Sequence, residues 1–271
     1  MSFGKSEFTV IIPFYNEEAF LERTLRSWAE QERLPDRIIL VDNASKDKSV
    51  SIAESFQRQQ AGRIPVLLLE EPRPGKVHAL NLAQKYLTGE WGVFCDADTW
   101  YPPHYLRRAG ELIEKSPESV VSVMAIDLPA PPNAPQSRRH IFWKMLFARF
   151  FVGKCHTGGF GQIFRVSALR KSGGFGARYW GFVLMDHEVV SRILRFGKSL
   201  YHPDLWCLPS PRRNDRKRVR WTVWERLLYF VHPFFLGNWF FHRFLRGNFL
   251  KRRLRHLNLR QQPWNHKPVP S

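Results

Sequence analysis

Residues 91–98 read Trp-Gly-Val-Phe-Cys-Asp-Ala-Asp. The first five form a short apolar run, which predicts a buried strand. The strand ends at Asp96-Ala97-Asp98. Two carboxylates at i and i+2 on a strand end can both reach one divalent cation. Their hard oxygens suit Mg²⁺ or Mn²⁺, which also takes phosphate oxygens from a substrate. The motif alone is short and common. Its bland reading is an Asx turn ahead of the helix that Pro102 opens.

The neighbouring segments decide between the two. Residues 66–69 (VLLL), 37–41 (RIILV) and 8–13 (FTVIIP) are further apolar strands before this one, and residues 119–125 follow it. Between them lie helical patterns. Residues 17–31 place Phe20, Leu21, Leu25 and Trp28 on one side. Ser45 is a candidate cap for a helix running to about residue 57. Residues 76–87 gather Ala79, Leu80, Leu82, Ala83 and Tyr86. Continuous apolar strands alternating with amphipathic helices imply an α/β fold, with a mostly parallel sheet and helices on both faces. Ligands bind such sheets at the carboxyl ends of the strands. Tyr15 follows strand one, Asp42 ends strand two, and Asp96 and Asp98 end strand four. That coincidence favours the metal reading.

Each polar residue there has chemistry to offer. Asp42-Asn43 can hydrogen-bond the edge of a base, and Tyr15 can stack on its face. Ordinary turn chemistry and rim packing are the alternatives. Gly75-Lys76 opens a helix, and a glycine before a helix amino terminus, with a lysine, favours phosphate. A loop glycine and a solvated lysine weigh about the same. Asp186, beside His187 and Glu188, starts a helix over residues 185–196. A carboxylate there can take a proton from a hydroxyl, or simply answer the helix dipole.

The second half is less regular. Residues 127–136 (DLPAPPNAPQ) are proline-rich and read as a mobile loop. Residues 138–152 form an aromatic, basic helix candidate, and residues 157–161 are glycine-rich. The net charge is +18, and residues 211–271 hold +13 of it against +5 for the other 210. From Trp221 onward Trp224, Tyr229, Phe230, Phe234, Phe235, Trp239, Phe240, Phe241, Phe244 and Phe249 stand among arginines. That composition suits an anionic membrane surface first, packing on the body or a second subunit next, and nucleic acid last. The division expected is 1–210 for the body and 211–271 for a basic, aromatic helical extension. Residues 227–241, LLYFVHPFFLGNWFF, are too short and too broken to span a bilayer. Cys95, Cys155 and Cys207 match no zinc spacing and suit a reducing compartment. The first residues hold no apolar run, so no signal peptide is expected.

Six stretches taken together resemble the inverting glycosyltransferases of family two, with the GT-A fold. They are VIIPFYNEEAFLERTLRSW, IILVDNASKDKSV, GKVHALNLA, GEWGVFCDADTWYPP, GGFGQIFRVSALRKSGGF and MDHEVVSRILRFGKSLYH, in the family's order from Phe8 to His202. The resemblance implies roles. Pro13, Tyr15, Glu17 and Asp42 would hold the nucleoside of a nucleotide-sugar, with Asn43 near. Lys76 would lie by the base or pyrophosphate. Asp96, with Ala97 between, would touch the ribose or metal, and Asp98 would hold Mn²⁺ or Mg²⁺. Gly158, Gly159 and Gly161 would line the acceptor side, with His187. Asp186 would be the catalytic base. Ser210-Pro211-Arg212-Arg213 resembles a basic element that clamps the donor pyrophosphate. Many members carry an acid directly before the base, and here that residue is Met185, which puts the acceptor geometry in question.

The expectation is an inverting transfer of a sugar from a nucleotide donor, UDP favoured, to a hydroxyl acceptor that is lipid-linked or a cell-surface glycan precursor. The protein would sit in the cytoplasm, peripheral on the membrane face. A nucleotidyltransferase is disfavoured because residues 13–18, PFYNEE, lack glycine. A non-catalytic membrane-surface or nucleic-acid-binding protein is disfavoured by Asp42, Asp96, Asp98 and Asp186 standing together.

Overall fold

The computed structural model describes residues 6–151, 153–154, 157–210, 222–232, 236–255 and 257. Strands β1 (Phe8–Phe14), β2 (Arg37–Asp42), β3 (Val66–Glu70) and β4 (Trp91–Phe94) pair in the order β3-β2-β1-β4, all parallel. The sheet continues through β7 (Gln162–Arg165), β6 (Val120–Asp127), β8 (Lys198–Pro209) and β5 (Thr99–Trp100). β7 runs antiparallel to both its neighbours, while β6 and β8 are parallel.

Both sides of the sheet are covered, which is why its strands read as unbroken apolar runs. Phe8, Val10, Ile12 and Phe14 of β1 face one layer. It is built from α1 (Leu21–Ala29), α2 (Ser49–Gln59) and α4 (Tyr105–Glu114). Ile11 faces the other layer, built from α3 (Lys76–Ala83), α6 (Val166–Lys171) and α7 (Met185–Ile193). The order 3-2-1-4 puts the reversal of winding between β1 and β4, which opens a crevice at their carboxyl ends.

Several boundaries differ from the sequence reading, each for a local reason. α1 begins at Leu21, because the Glu17 carbonyl accepts from Phe20 N (3.0 Å) and Leu21 N (2.9 Å) in a preceding turn. Ser45 does not cap α2. Its hydroxyl accepts from Asn16 N at 3.1 Å and its own N–H points at Asp42, so the helix waits until Ser49. The proline-rich stretch is shorter as a loop than expected. Asp127 closes β6, and Pro135 opens α5 (Pro135–Phe150) near its first position, where a missing N–H is no loss. β7 and β8 were not anticipated. β8 contains Pro203, and its pairing with β6 shifts register twice, so no period of two survives in the sequence.

The extension folds back on the body. α8 (Val223–Val231) opens with a capping box between Thr222 and Glu225. It is followed by α9 (Gly237–Trp239), a π-helical segment (Phe240–Leu245) and α10 (Arg246–Lys251). Buried Glu225 accepts from Arg252 at 2.8 Å, which ties α8 to the end of α10. Tyr229, Phe240, Phe241 and Phe249 are buried against Trp180, Phe182 and Val183. At about 1.5–3 kcal/mol for each buried side chain, this cluster holds the extension to the body by several kcal/mol. These four aromatics therefore pack on the body, the role that the sequence reading placed second, after a membrane surface. Phe234 and Phe235 lie outside the described residues. No described helix is long and apolar enough to cross a membrane.

Candidate donor and acceptor site

The crevice is lined first by the ends of β1 and β2. Pro13 is buried in β1 opposite Val41, and Tyr15 is half-buried just beyond the strand. Asn16 has φ of 51°, which turns the chain sharply there. Its Oδ1 accepts from Lys46 N at 2.8 Å, and Glu17 N donates to Ser49 Oγ at 2.7 Å. The segment after β1 is thereby fixed to the segment after β2. Asp42 is buried at the end of β2 and accepts from Ser45 N at 3.1 Å. Asn43 is a fastener. Its Nδ2 donates to the carbonyls of Glu71 and Arg73, both at 2.8 Å, and its Oδ1 accepts from Gly75 N at 2.7 Å. The side-chain amide thus shapes the loop that leads to Lys76, which differs from direct contact with a base. Arg73 donates to Glu71 at 2.7 Å in the same loop and holds that carboxyl below its ordinary range.

β4 and α3 supply the centre. Gly75 has φ of 122°, closed to other residues, and lets the chain enter α3 directly at Lys76. Lys76 Nζ donates to Asp96 Oδ1. Gly159 lies over this pair, where a Cβ would come 3.0 Å from Lys76 Nζ and 3.8 Å from Asp96 Oδ1. Ala97 is buried and its carbonyl accepts from Thr24 Oγ1 at 2.9 Å. Asp98 is buried and accepts from Ser210 Oγ at 2.7 Å, while Ser210 N donates to the Asp98 carbonyl at 2.9 Å. β5 directs this meeting, since Thr99 and Trp100 pair with Pro209 and Leu208 at the end of β8. The wall opposite holds Gly158 and Gly161, with Tyr101 Oη donating to the Phe160 carbonyl at 2.6 Å and Gly161 O accepting from Ala125 N at 2.8 Å. Arg212 and Arg213 lie outside the described residues.

Asp186 stands on a separate element. It is the second residue of α7, where the helix dipole favours a carboxylate. Its Oδ1 accepts from His187 N at 3.1 Å and lies 3.3 Å from His187 Nδ1. The residue just before α7, Leu184, has φ of 64° and ψ of 33°. A leucine there carries about 1–3 kcal/mol of strain and persists only when its surroundings fix it. They do: Val183 N donates to the Leu254 carbonyl at 3.2 Å, the Val183 carbonyl accepts from Trp180 Nε1 at 2.7 Å, and Phe182 bridges to Arg255. One turn on, Glu188 is buried and gripped by Arg192 at 2.7 and 2.9 Å, with His242 of the extension 3.4 Å away. Burial raises its carboxyl, but His242 and the Arg192 fork outweigh burial and hold it low. His187 lies 6.0 Å from the Tyr229 ring, and Tyr229 Oη donates to the Lys154 carbonyl at 3.1 Å.

The profile of glycosyl transferase family 2 matches residues 9–173, more than half of the chain. The chain belongs to that family. Poly(ribitol-phosphate) beta-N-acetylglucosaminyltransferase TarS of Staphylococcus aureus is 28% identical over 119 residues, 43% of this chain and 20% of TarS. An uncharacterized glycosyltransferase of Nostoc is 33% identical over 116 residues, 43% of this chain and 35% of that one. The matches therefore span a fifth to about a third of the lengths of these relatives. Among solved structures, a mannosyltransferase of Pyrobaculum calidifontis in complex with GDP-Man and Mn²⁺ superposes with a TM-score of 0.64 at 24% identity, covering 84% of this chain and 63% of that one. TarS residues 1–349 with UDP-GlcNAc gives 0.61 at 18%, covering 94% and 76%. The α/β fold of this glycosyl transferase family 2 chain is thus the GT-A fold.

The acids present fit a divalent ion. No group of three His, Cys, Asp or Glu is assembled to hold one among the described residues. Mg²⁺ and Mn²⁺ ask for less: one or two carboxylates, with substrate phosphates completing the shell. Asp98 and Asp96, two residues apart beside Lys76, meet that demand. Three roles escaped the sequence reading: Ser210 was expected only within a basic element and not as the partner of Asp98, and neither the Tyr101 bond to Phe160 nor the Leu184 backbone was foreseen. Ser210 is 112 residues from Asp98, Tyr101 is 59 from Phe160, and Leu184 shows its role only through its backbone angles. Nothing local in the chain marks the first two. A bulky leucine two residues before a helix-start acid gives no warning of the third.

Proposed function

We propose that the protein transfers a sugar from a nucleoside diphosphate donor to an acceptor hydroxyl, with inversion at the anomeric carbon. The observation that carries this is the Lys76–Asp96 pair beyond the end of β4, with Gly159 over it, and with Asp42 ending β2 and Asp98 two residues on from Asp96. Asp42 and Tyr15 bind the nucleoside, and Asn43 holds the loop that presents Lys76 to the pyrophosphate. A divalent ion, Mn²⁺ or Mg²⁺, would be held by Asp98 and Asp96 and would offset charge on the departing diphosphate. Asp186 removes the proton from the acceptor hydroxyl. The oxygen attacks the anomeric carbon from the face opposite the diphosphate, which leaves with the bonding pair. His187 orients the Asp186 carboxylate, and the glycine wall admits the acceptor. Catalysis rests on alignment and on stabilising developing charge. The acceptor is lipid-linked or a cell-surface glycan precursor, and the protein works peripherally on the cytoplasmic membrane face.

Titration calorimetry with UDP, GDP and dTDP, with and without Mn²⁺, tests the donor site on wild type and Asp98→Ala. UDP is favoured by the TarS complexes, and GDP enters because the Pyrobaculum enzyme was captured with GDP-Man. Metal-dependent binding of one nucleotide, lost in the variant, is expected. Absence of binding to all three would overturn the donor assignment.

A further inference from the structure

Two helices carry large apolar side chains on their outer sides. Phe142, Trp143, Phe147 and Phe150 are exposed along α5, and Phe151 follows it. Val223, Trp224, Leu227 and Val231 are exposed along α8. These nine are most of the fifteen exposed large hydrophobics among the described residues, so the exposure is concentrated rather than scattered. At 3.6 residues per turn, the four on α5 fall within about 140° of arc and the four on α8 within about 100°. The helices meet side by side. The Phe230 ring is 5.3 Å from Phe151 and 6.3 Å from Phe147. One aromatic face results, half from the body and half from the extension.

Its border is basic. Arg138, Arg139, Arg149 and Arg226 are exposed around it. α5 contains no acid, and the single acid of α8, Glu225, is buried on Arg252. We infer that this face docks on an anionic bilayer surface, its aromatic side chains among the lipid headgroups and its arginines on their phosphates. This rests on the peripheral-membrane part of the proposed function, and adds the contact surface. A second copy of the chain fits worse, because a two-fold contact would press two basic borders together. No described helix can cross the bilayer, so the contact is interfacial.

The placement has a consequence for the acceptor. The inner side of α8 bears Tyr229, whose ring faces His187 beside Asp186. About one helix diameter, on the order of 10 Å, separates the lipid-facing side from the neighbour of the base. An acceptor reaching Asp186 from that side is an amphiphile, with its hydroxyl in the site and its apolar part left in the bilayer.

Co-sedimentation of the full chain with vesicles of equimolar phosphatidylglycerol and phosphatidylcholine tests the surface. Wild type is compared with a variant carrying Phe142→Ser, Trp143→Ser, Trp224→Ser and Leu227→Ser, and nucleotide calorimetry and sedimentation velocity are run on both. The expected result is pelleting of wild type, partitioning of the variant weaker on the order of a hundredfold, and equal nucleotide binding by both. Equal pelleting would overturn this surface while leaving membrane attachment standing elsewhere on the chain. Wild type that stays in solution would overturn both. A wild-type dimer that becomes a monomer in the variant, without vesicles, would assign the face to a second copy. Pelleting by wild type alone, with no nucleotide bound by either, would uphold the surface and remove the donor assignment.

Discussion

The proposed donor end and the proposed acceptor end are built in different ways. At the donor end, side chains fasten segments 20 to 32 residues apart: Lys76 to Asp96, Asn16 to Ser45, Asn43 to Gly75. Asn16–Ser45 joins the ends of β1 and β2, Asn43–Gly75 joins those of β2 and β3, and Lys76–Asp96 crosses from the start of α3, after β3, to the end of β4, so the parallel core that folds the chain also brings these residues together. The acceptor end relies on longer links. Tyr229 reaches Lys154 across 75 residues, and His242 of the extension reaches Glu188. A change at the donor end should therefore disturb binding and fold together. A change at the acceptor end should separate chemistry, docking of the extension and donor affinity.

Asp186→Asn makes the largest expected difference. Losing a general base lowers turnover about 10²–10⁴-fold. Nucleotide affinity should hold, because the donor ligands lie on other elements. Calorimetry beside a transfer assay reads both, and near wild-type turnover would remove Asp186 from its role. Glu188→Ala comes next. It strands Arg192 and takes away the partner of His242, and breaking a buried pair costs about 3–5 kcal/mol. Urea unfolding should show that loss, with limited proteolysis opening the extension first. A variant as stable as wild type would mean that the pair is not an anchor. Asn43→Ala is smaller in stability, about 2 kcal/mol for unmet buried partners, but it should also weaken nucleotide binding by freeing the loop before Lys76. Unchanged affinity with lowered stability would confine Asn43 to the fold.

The same contrast explains what the sequence disclosed. The four parallel strands, their helices and the acids at their ends were legible, because burial on both faces leaves unbroken apolar runs and each strand end carries its own polar residues. Lys76 and Asp96 are hydrogen-bonded to one another, and Asp98 is bonded to Ser210. The fastening of the 71–75 loop by Asn43 was not legible, since that depends on which carbonyls the fold presents. β8 was hidden by Pro203 and by two register shifts. The extension was legible as aromatic and basic. Its division into a buried set around Phe240 and an outward set around Trp224 was not, because both have the same composition and only packing against Trp180 separates them.

The smallest expected effect has a sign that depends on pH, and it tests where body and extension join. Lys154 lies 2.6 Å from His232 Nε2 and 5.0 Å from the Tyr229 ring centroid. Burial pushes its ammonium down to about 8. Below that pH the amine is charged in both folded and unfolded chains, and the folded state bears the full cost of burying it. As pH rises from about 8 toward 10.5, the ordinary lysine value, the folded chain has already released a proton that the unfolded chain still binds, so stability rises through that window. Lys154→Met removes the buried charge and keeps most of the volume. The variant should melt higher than wild type at pH 7, with a gain that shrinks above pH 8 and disappears near 10.5. A variant that melts lower at pH 7 would show that the contacts to His232 and Tyr229 outweigh burial. The junction between body and extension would then be held by that charge rather than weakened by it.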